Sequence, residues 1–172
     1  MTEEIINKVA ESSLLQIDLE DFLPKSEVMV YDLAQNLFEG MILKENDFRD
    51  FLKNHNWNQY ENKTIAICCS QDAIVPNWAY MLLATKLNEH KAKCSFGNIN
   101  EVKEKLLLDA FLKSDLESYK GGKVLVKGCG SFELSPAVYV EITKCLQPIV
   151  NSLMFGEACS SVPVFKSRSQ KF

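Results

Sequence analysis

The chain is poor in the residues that usually announce a reaction. It has only two histidines and no Cys-x-x-Cys pair. His55 falls in a polar stretch and His90 near a helix end, so neither makes an evident nucleophile–base pair with a cysteine or serine. The missing Cys-x-x-Cys excludes the zinc-ribbon and common ferredoxin spacings. No apolar run approaches the roughly 20 residues of a membrane span, and the longest, Trp78 to Ala84, is far shorter. Met1-Thr2-Glu3-Glu4-Ile5 lacks the basic and apolar regions of a signal peptide, which predicts a cytosolic chain with no membrane partner. A basic tract is absent too. With a net charge of -4, the tail residues Lys166, Arg168 and Lys171 are too few to point to nucleic acid.

What is present is the composition of an ordinary globular protein, 47% apolar and 24% charged. A chain of 172 residues suits a single domain and buries about 70% of its unfolded surface, so it needs neither disulfides nor a metal merely to fold. In a reducing cytosol its six cysteines read as thiols or ligands, not as a disulfide framework.

Leu15, Ile17 and Leu19 alternate with polar residues and predict a short strand, ended by Pro24 and Lys25. The stretch from Val28 to Leu43 fits no single pattern. Phe48, Phe51 and Leu52 predict a helix over Asp47 to Lys53, and Trp57 and Tyr60 anchor the polar loop that follows. Beyond Thr64 strand and helix alternate: a strand over 64–69, a helix from Pro76 to about Glu89, a strand over 93–96, a helix through Ile99 and Ala110, and a strand over 123–127. Ser135-Pro136 opens a last helix, with an apolar stripe from Val138 to Leu153 that Pro148 kinks or restarts. No internal repeat stands out. The expected fold is one α/β domain with a mainly parallel three- to four-stranded sheet flanked by helices, Rossmann-like and three-layered. Residues 1–60 form an N-terminal α/β extension on a 64–155 βαβαβα core, and 156–172 a C-terminal strap and tail.

With the 64–69 strand central and the other two beside it, the segments Cys69–Asp72 and Lys127–Gly130 would meet at a switch point, where ligands of such sheets bind. Cys68, Cys94 and Cys145 share apolar faces and read as core. Cys69, Cys129 and Cys159 lie at turns beside small or polar residues, which suits exposed thiols. Together they could ligate zinc or an iron–sulfur cluster, with Asp72 or Glu157 as an oxygen donor. Alternatively one of them is a reactive thiol, since Cys69 precedes a helix and Cys129 is near Lys127. A third reading is an anion-binding turn at Lys127, Gly128 and Gly130, weakened by Glu133 where a phosphate loop would carry its last glycine.

Several motifs carry a resemblance: Asp18-Leu19-Glu20-Asp21-Phe22, Asp47-Phe48-Arg49, Cys69-Ser70-Gln71-Asp72-Ala73-Ile74-Val75-Pro76, Lys127-Gly128-Cys129 and Phe155-Gly156-Glu157-Ala158-Cys159-Ser160. Over nearly its whole length the chain resembles a bacterial domain-of-unknown-function family of cytosolic proteins, with Cys68 outside the family motif. Genes of that family often stand beside iron–sulfur cluster assembly genes, so the resemblance implies a role near that pathway and assembly proteins as partners. It carries over no catalytic residue. The leading expectation is a cysteine-ligated metal or iron–sulfur accessory protein; the alternatives are a non-metal small-anion or protein-binding module and a thiol-dependent enzyme. A homo-oligomer is compatible with each.

Overall fold

The computed structural model describes residues 14–130 and 132–167. Met1 to Ile5 and the tail residues Arg168 and Lys171 lie outside the described residues. In chain order the elements are β1 (Leu14–Asp18), β2 (Val28–Asp32), α1 (Glu45–Asn54), β3 (Thr64–Cys68), α2 (Asn77–Glu89), β4 (Lys93–Phe96), α3 (Ile99–Leu112), β5 (Lys123–Lys127), α4 (Pro136–Leu146), β6 (Ser152–Glu157) and β7 (Ser160–Lys166). Short 3₁₀ helices occupy Leu19–Phe22, Leu33–Asn36, Trp57–Tyr60 and Leu116–Tyr119. The protein is α/β, with mainly parallel sheets flanked by helices. Among the described residues no helix is long and apolar enough to cross a membrane.

The strand order departs from expectation. β3 is central, but its neighbours are β2 and β4, whereas β5 lies between β1 and β6 in a second sheet that ends in the antiparallel β7. The reason lies in the N-terminal strands, which supply the missing neighbours. Val28 to Asp32 pair in parallel with Thr64 to Cys68, and Leu14 to Asp18 with Lys123 to Lys127. β3 and β5 therefore do not share a switch point.

The chain divides into two compact units. One, the inserted unit, is continuous (Pro24–Lys105); the other, the split unit, joins the residues up to Leu23 to those from Leu106 onward. In the inserted unit, Tyr31, Ile65 and Ile67 of the sheet pack with Phe48 and Leu52 of α1 and Ala79, Leu83 and Leu87 of α2. In the split unit, Ile17, Val124, Val126 and Leu153 pack with Leu107 and Phe111 of α3 and Val138, Ile142 and Leu146 of α4. Since alternate residues of a strand face opposite sides, each pair of helices covers one face of its own sheet.

The two units repeat one plan, which overturns the expectation of no repeat. In each, the first described strand ends in an aspartate, Asp18 or Asp32, whose carboxylate accepts the N–H two residues on, at 3.0 and 2.9 Å. A fully buried leucine follows in each, Leu19 or Leu33. From Tyr60 and Tyr119 onward the correspondence holds at one constant interval. Asn62 and Gly121, both with positive φ, donate to the carbonyls of His90 and Ile149. Ala79, Leu83 and Leu87 match Val138, Ile142 and Leu146, and β4 ends before Gly97 (φ 133) as β6 reaches Gly156 (φ 124). Tyr80 meets Phe96 edge-on with centroids 5.5 Å apart, and Tyr139 meets Phe155 edge-on at 5.3 Å.

The units differ at one edge. The split unit continues into β7, so the expected helix over Ile149 and Leu153 and the strap from 156 are replaced by a hairpin. α4 stops at Leu146, two residues before Pro148, which lacks the N–H a continuing helix needs. Leu153 then faces the core from β6. Gly156 makes the tight return: with φ 124, a Cβ there would lie 2.6 Å from the Ser160 carbonyl oxygen.

Candidate functional site

Parallel strands leave their carboxyl ends ringed by loops, and both units place polar and aromatic groups there. In the inserted unit the Asp32 carboxylate, at the end of β2, accepts N–H bonds from Ala34 (2.9 Å) and from Ser70 (3.0 Å). It thereby ties the loop after β3 to the neighbouring strand. Partial burial raises the Asp32 pKa, but the hydrogen bonds from Ser70 and Ala34 outweigh it and hold the carboxyl below its ordinary value. Cys68, beside Asp32 in the strand register, is pushed up by burial, then by Asp32 and Cys69. The Cys69 thiol donates to the Gln71 carbonyl at 3.6 Å. The Tyr80 hydroxyl is raised by burial and by its nearness to Cys69 and Cys68.

In the split unit the corresponding end is occupied differently. Lys127 pairs with Glu157 at 3.1 Å, joining the ends of β5 and β6. As Glu157 is largely exposed, such a pair contributes at most about 1 kcal/mol. A Cβ on Gly128 would lie 3.4 Å from the Tyr139 hydroxyl, at van der Waals contact with it. Beside this end a groove of about 570 Å³ runs between α4 and the β6–β7 hairpin. Its walls include Tyr139, Val140, Phe155, Val162 and Val164.

Of the three turn cysteines, two are placed otherwise than their turns suggested. Cys69 and Cys129 are half-buried and pack against the apolar cores of their own units; Cys159, in the hairpin turn, is exposed. Cys68, expected in the core, is half-buried at the strand end, whereas Cys94 and Cys145 do pack on the cores. Cys69 and Asp72 belong to the inserted unit, and Lys127, Gly128, Cys129, Gly130, Glu157 and Cys159 to the split unit. Among the described residues no three His, Cys, Asp or Glu side chains are grouped to hold a metal ion. Of the residues singled out from sequence, Lys127 and Glu157 come together, and they do so as partners of each other. An anion at Lys127–Gly130 would compete with Glu157 for the lysine and meet the Glu20 carboxylate near Gly130.

Sequence reasoning missed Asp32 and the groove. The alternation Val162-Pro163-Val164 is a strand signal, and Phe-Gly at 96–97 and again at 155–156 marks the repeated strand end. Both were legible only once the first strands had been assigned to their sheets.

The depressed Asp32 carboxyl has a definite sign in stability. Its contribution is present above the unfolded value, near 4, and is lost as pH falls through the lower folded value. Asp32→Asn keeps an acceptor oxygen but removes the charge. It should lower stability by about 1 kcal/mol at pH 7, and the difference from wild type should shrink toward zero near pH 2, read from urea midpoints at the two pH values.

No curated protein and no solved structure matches the chain. A family whose description is "Protein of unknown function (DUF2480)" matches residues 3–167. That covers almost the entire sequence, and the chain belongs to this family.

Proposed function

We propose that the protein is a binding module that takes an apolar segment of a partner protein into the groove between α4 and the β6–β7 hairpin. One observation carries the reading: the groove, about 570 Å³, has almost wholly apolar walls although it is open to solvent. Val140, Val162 and Val164 are all more than half exposed. A cavity of this size with a few polar groups at its rim, here Tyr139 and Lys144, is the usual form of a binding site. Exposed apolar residues gathered in one place signal contact with a partner. We set the protein in the bacterial cytosol; six thiols with no disulfide among them accord with a reducing compartment.

An environment-sensitive apolar dye such as anilinonaphthalene sulfonate should bind with saturable fluorescence. Val140→Asp/Val164→Asp, at two exposed positions, should weaken that binding at least about tenfold while leaving the fold intact by circular dichroism. Equal binding by the variant would remove the groove from the account.

A second reading keeps the metal or iron–sulfur accessory role. Taken by itself, the split unit supplies soft and hard donors in Cys129, Cys159 and Glu157, and the inserted unit does so in Cys69 and Asp72. Within the described residues they fall short of a closed set, so an ion or cluster would be shared with donors of a partner and held in transit. Protein purified without oxygen or chelators should then carry zinc or iron that declines sharply in Cys129→Ser and Cys159→Ser, measured by mass spectrometry. Unchanged metal content in both variants, or none in the wild type, would end this reading.

A further inference from the structure

The repeat makes each unit a template for the other, and the comparison exposes an unfilled position. In the split unit β6 is covered by β7, whose Val162 lies opposite Phe155 and Phe165 opposite Leu153. In the inserted unit the matching strand, β4, has β3 on one side and, among the described residues, no strand on the other. The side chains record the difference. Phe96 is 73% exposed, whereas its counterpart Phe155 beside β7 is 40% exposed, and Met81 is 70% exposed where Val140 is 56%.

The backbone on that edge is also open. Lys93 and Gly97 donate their N–H groups to Lys63 and Ile67, toward β3. Because successive residues of a strand turn their N–H and C=O to opposite sides, Cys94 and Phe96 present theirs to the free edge. Their counterparts Leu153 and Phe155 are the residues set against β7. A free edge with exposed apolar side chains is a template for strand addition.

We propose that the β4 edge is an acceptor for an extended segment of a partner protein, which adds antiparallel to β4 as β7 does to β6. The chemistry of the segment is set by β7: β-branched residues at alternate positions, as Val162 and Val164, to lie against the Phe96 and Met81 side chains. β7 itself is committed to β6 through pairs running from Ser152↔Lys166 to Glu157↔Ser160. The hairpin is therefore held away from this position, and no other strand among the described residues occupies it, so the proposed occupant is a segment of another protein. The short β4, with exposed Lys93 at its start, blunts the edge enough to keep binding weak and selective.

The test uses the intact protein and a capped synthetic peptide of the β7 sequence, Ser-Ser-Val-Pro-Val-Phe-Lys, followed by amide hydrogen exchange and NMR. With the peptide about tenfold above its dissociation constant, exchange at the Cys94 and Phe96 amides should slow about tenfold. A peptide N-methylated at the edge-facing positions should not do this, and Phe96→Ser should bind the native peptide less tightly. Three outcomes would overturn the proposal: no change at these amides at millimolar peptide, changes confined to β6 because the peptide displaces β7, or protection of β4 that rises with protein concentration alone, which would assign the edge to a second copy.

Discussion

The parallel pairing of β1 with β5 is the constraint on which the architecture rests. Leu14 to Asp18 must find Lys123 to Lys127 across the whole of the inserted unit. Without β1 the second sheet loses an edge strand, and Ile17 and Leu19, both essentially fully buried, leave the core. The pairing also fixes register: a slip of one residue would turn Ile17 out of the core and bring polar neighbours in. Closing so long a loop adds only slowly to the entropic cost but delays formation, so the continuous unit, whose contacts are more local, has the kinetic advantage.

The inserted unit has the same pairing, β2 with β3, and the two halves part at the opposite edge of each sheet, beyond β4 and β6. Both are a parallel three-strand sheet with two helices on one face and an aspartate at the end of the first strand. One continues into a hairpin that widens its sheet beyond the cover of α4, and this overhang creates the apolar groove. The other stops at Phe96-Gly97 and leaves an edge. The functional readings thus come from two departures from a common plan: strand surface without a covering helix in one unit, and a strand without its neighbour in the other.

Much of the fold was legible in sequence. The strands over Thr64, Lys93 and Lys123, the helix carrying Phe48 and Leu52, the Ser135-Pro136 helix start and the anchoring of Trp57 and Tyr60 all follow from periodicity and turn chemistry, and the structure has them. Strand order was not legible, because local pattern says nothing of which distant strand supplies a neighbour. The repeat was hidden for a related reason. Its first strands both precede the first helix, and the identical later positions, such as Tyr80 with Tyr139, are scattered among ones that preserve only character, as Ala79 with Val138 or Leu83 with Ile142. The thiols misled because a turn position predicts exposure only when the loop stands off the body, and those of Cys69 and Cys129 are folded against their cores. The hairpin was masked by Pro163 and by the apolar stripe that seemed to extend the last helix.

The central claim is that one plan is built twice and completed once. Hydrogen exchange of the protein alone tests it most directly, by comparing matched amides in the two units. Leu153 and Phe155, paired to β7, should exchange orders of magnitude more slowly than intrinsic rates, while Cys94 and Phe96 exchange close to them. Equal protection at the two pairs would contradict the account, because β4 would then be covered as fully as β6.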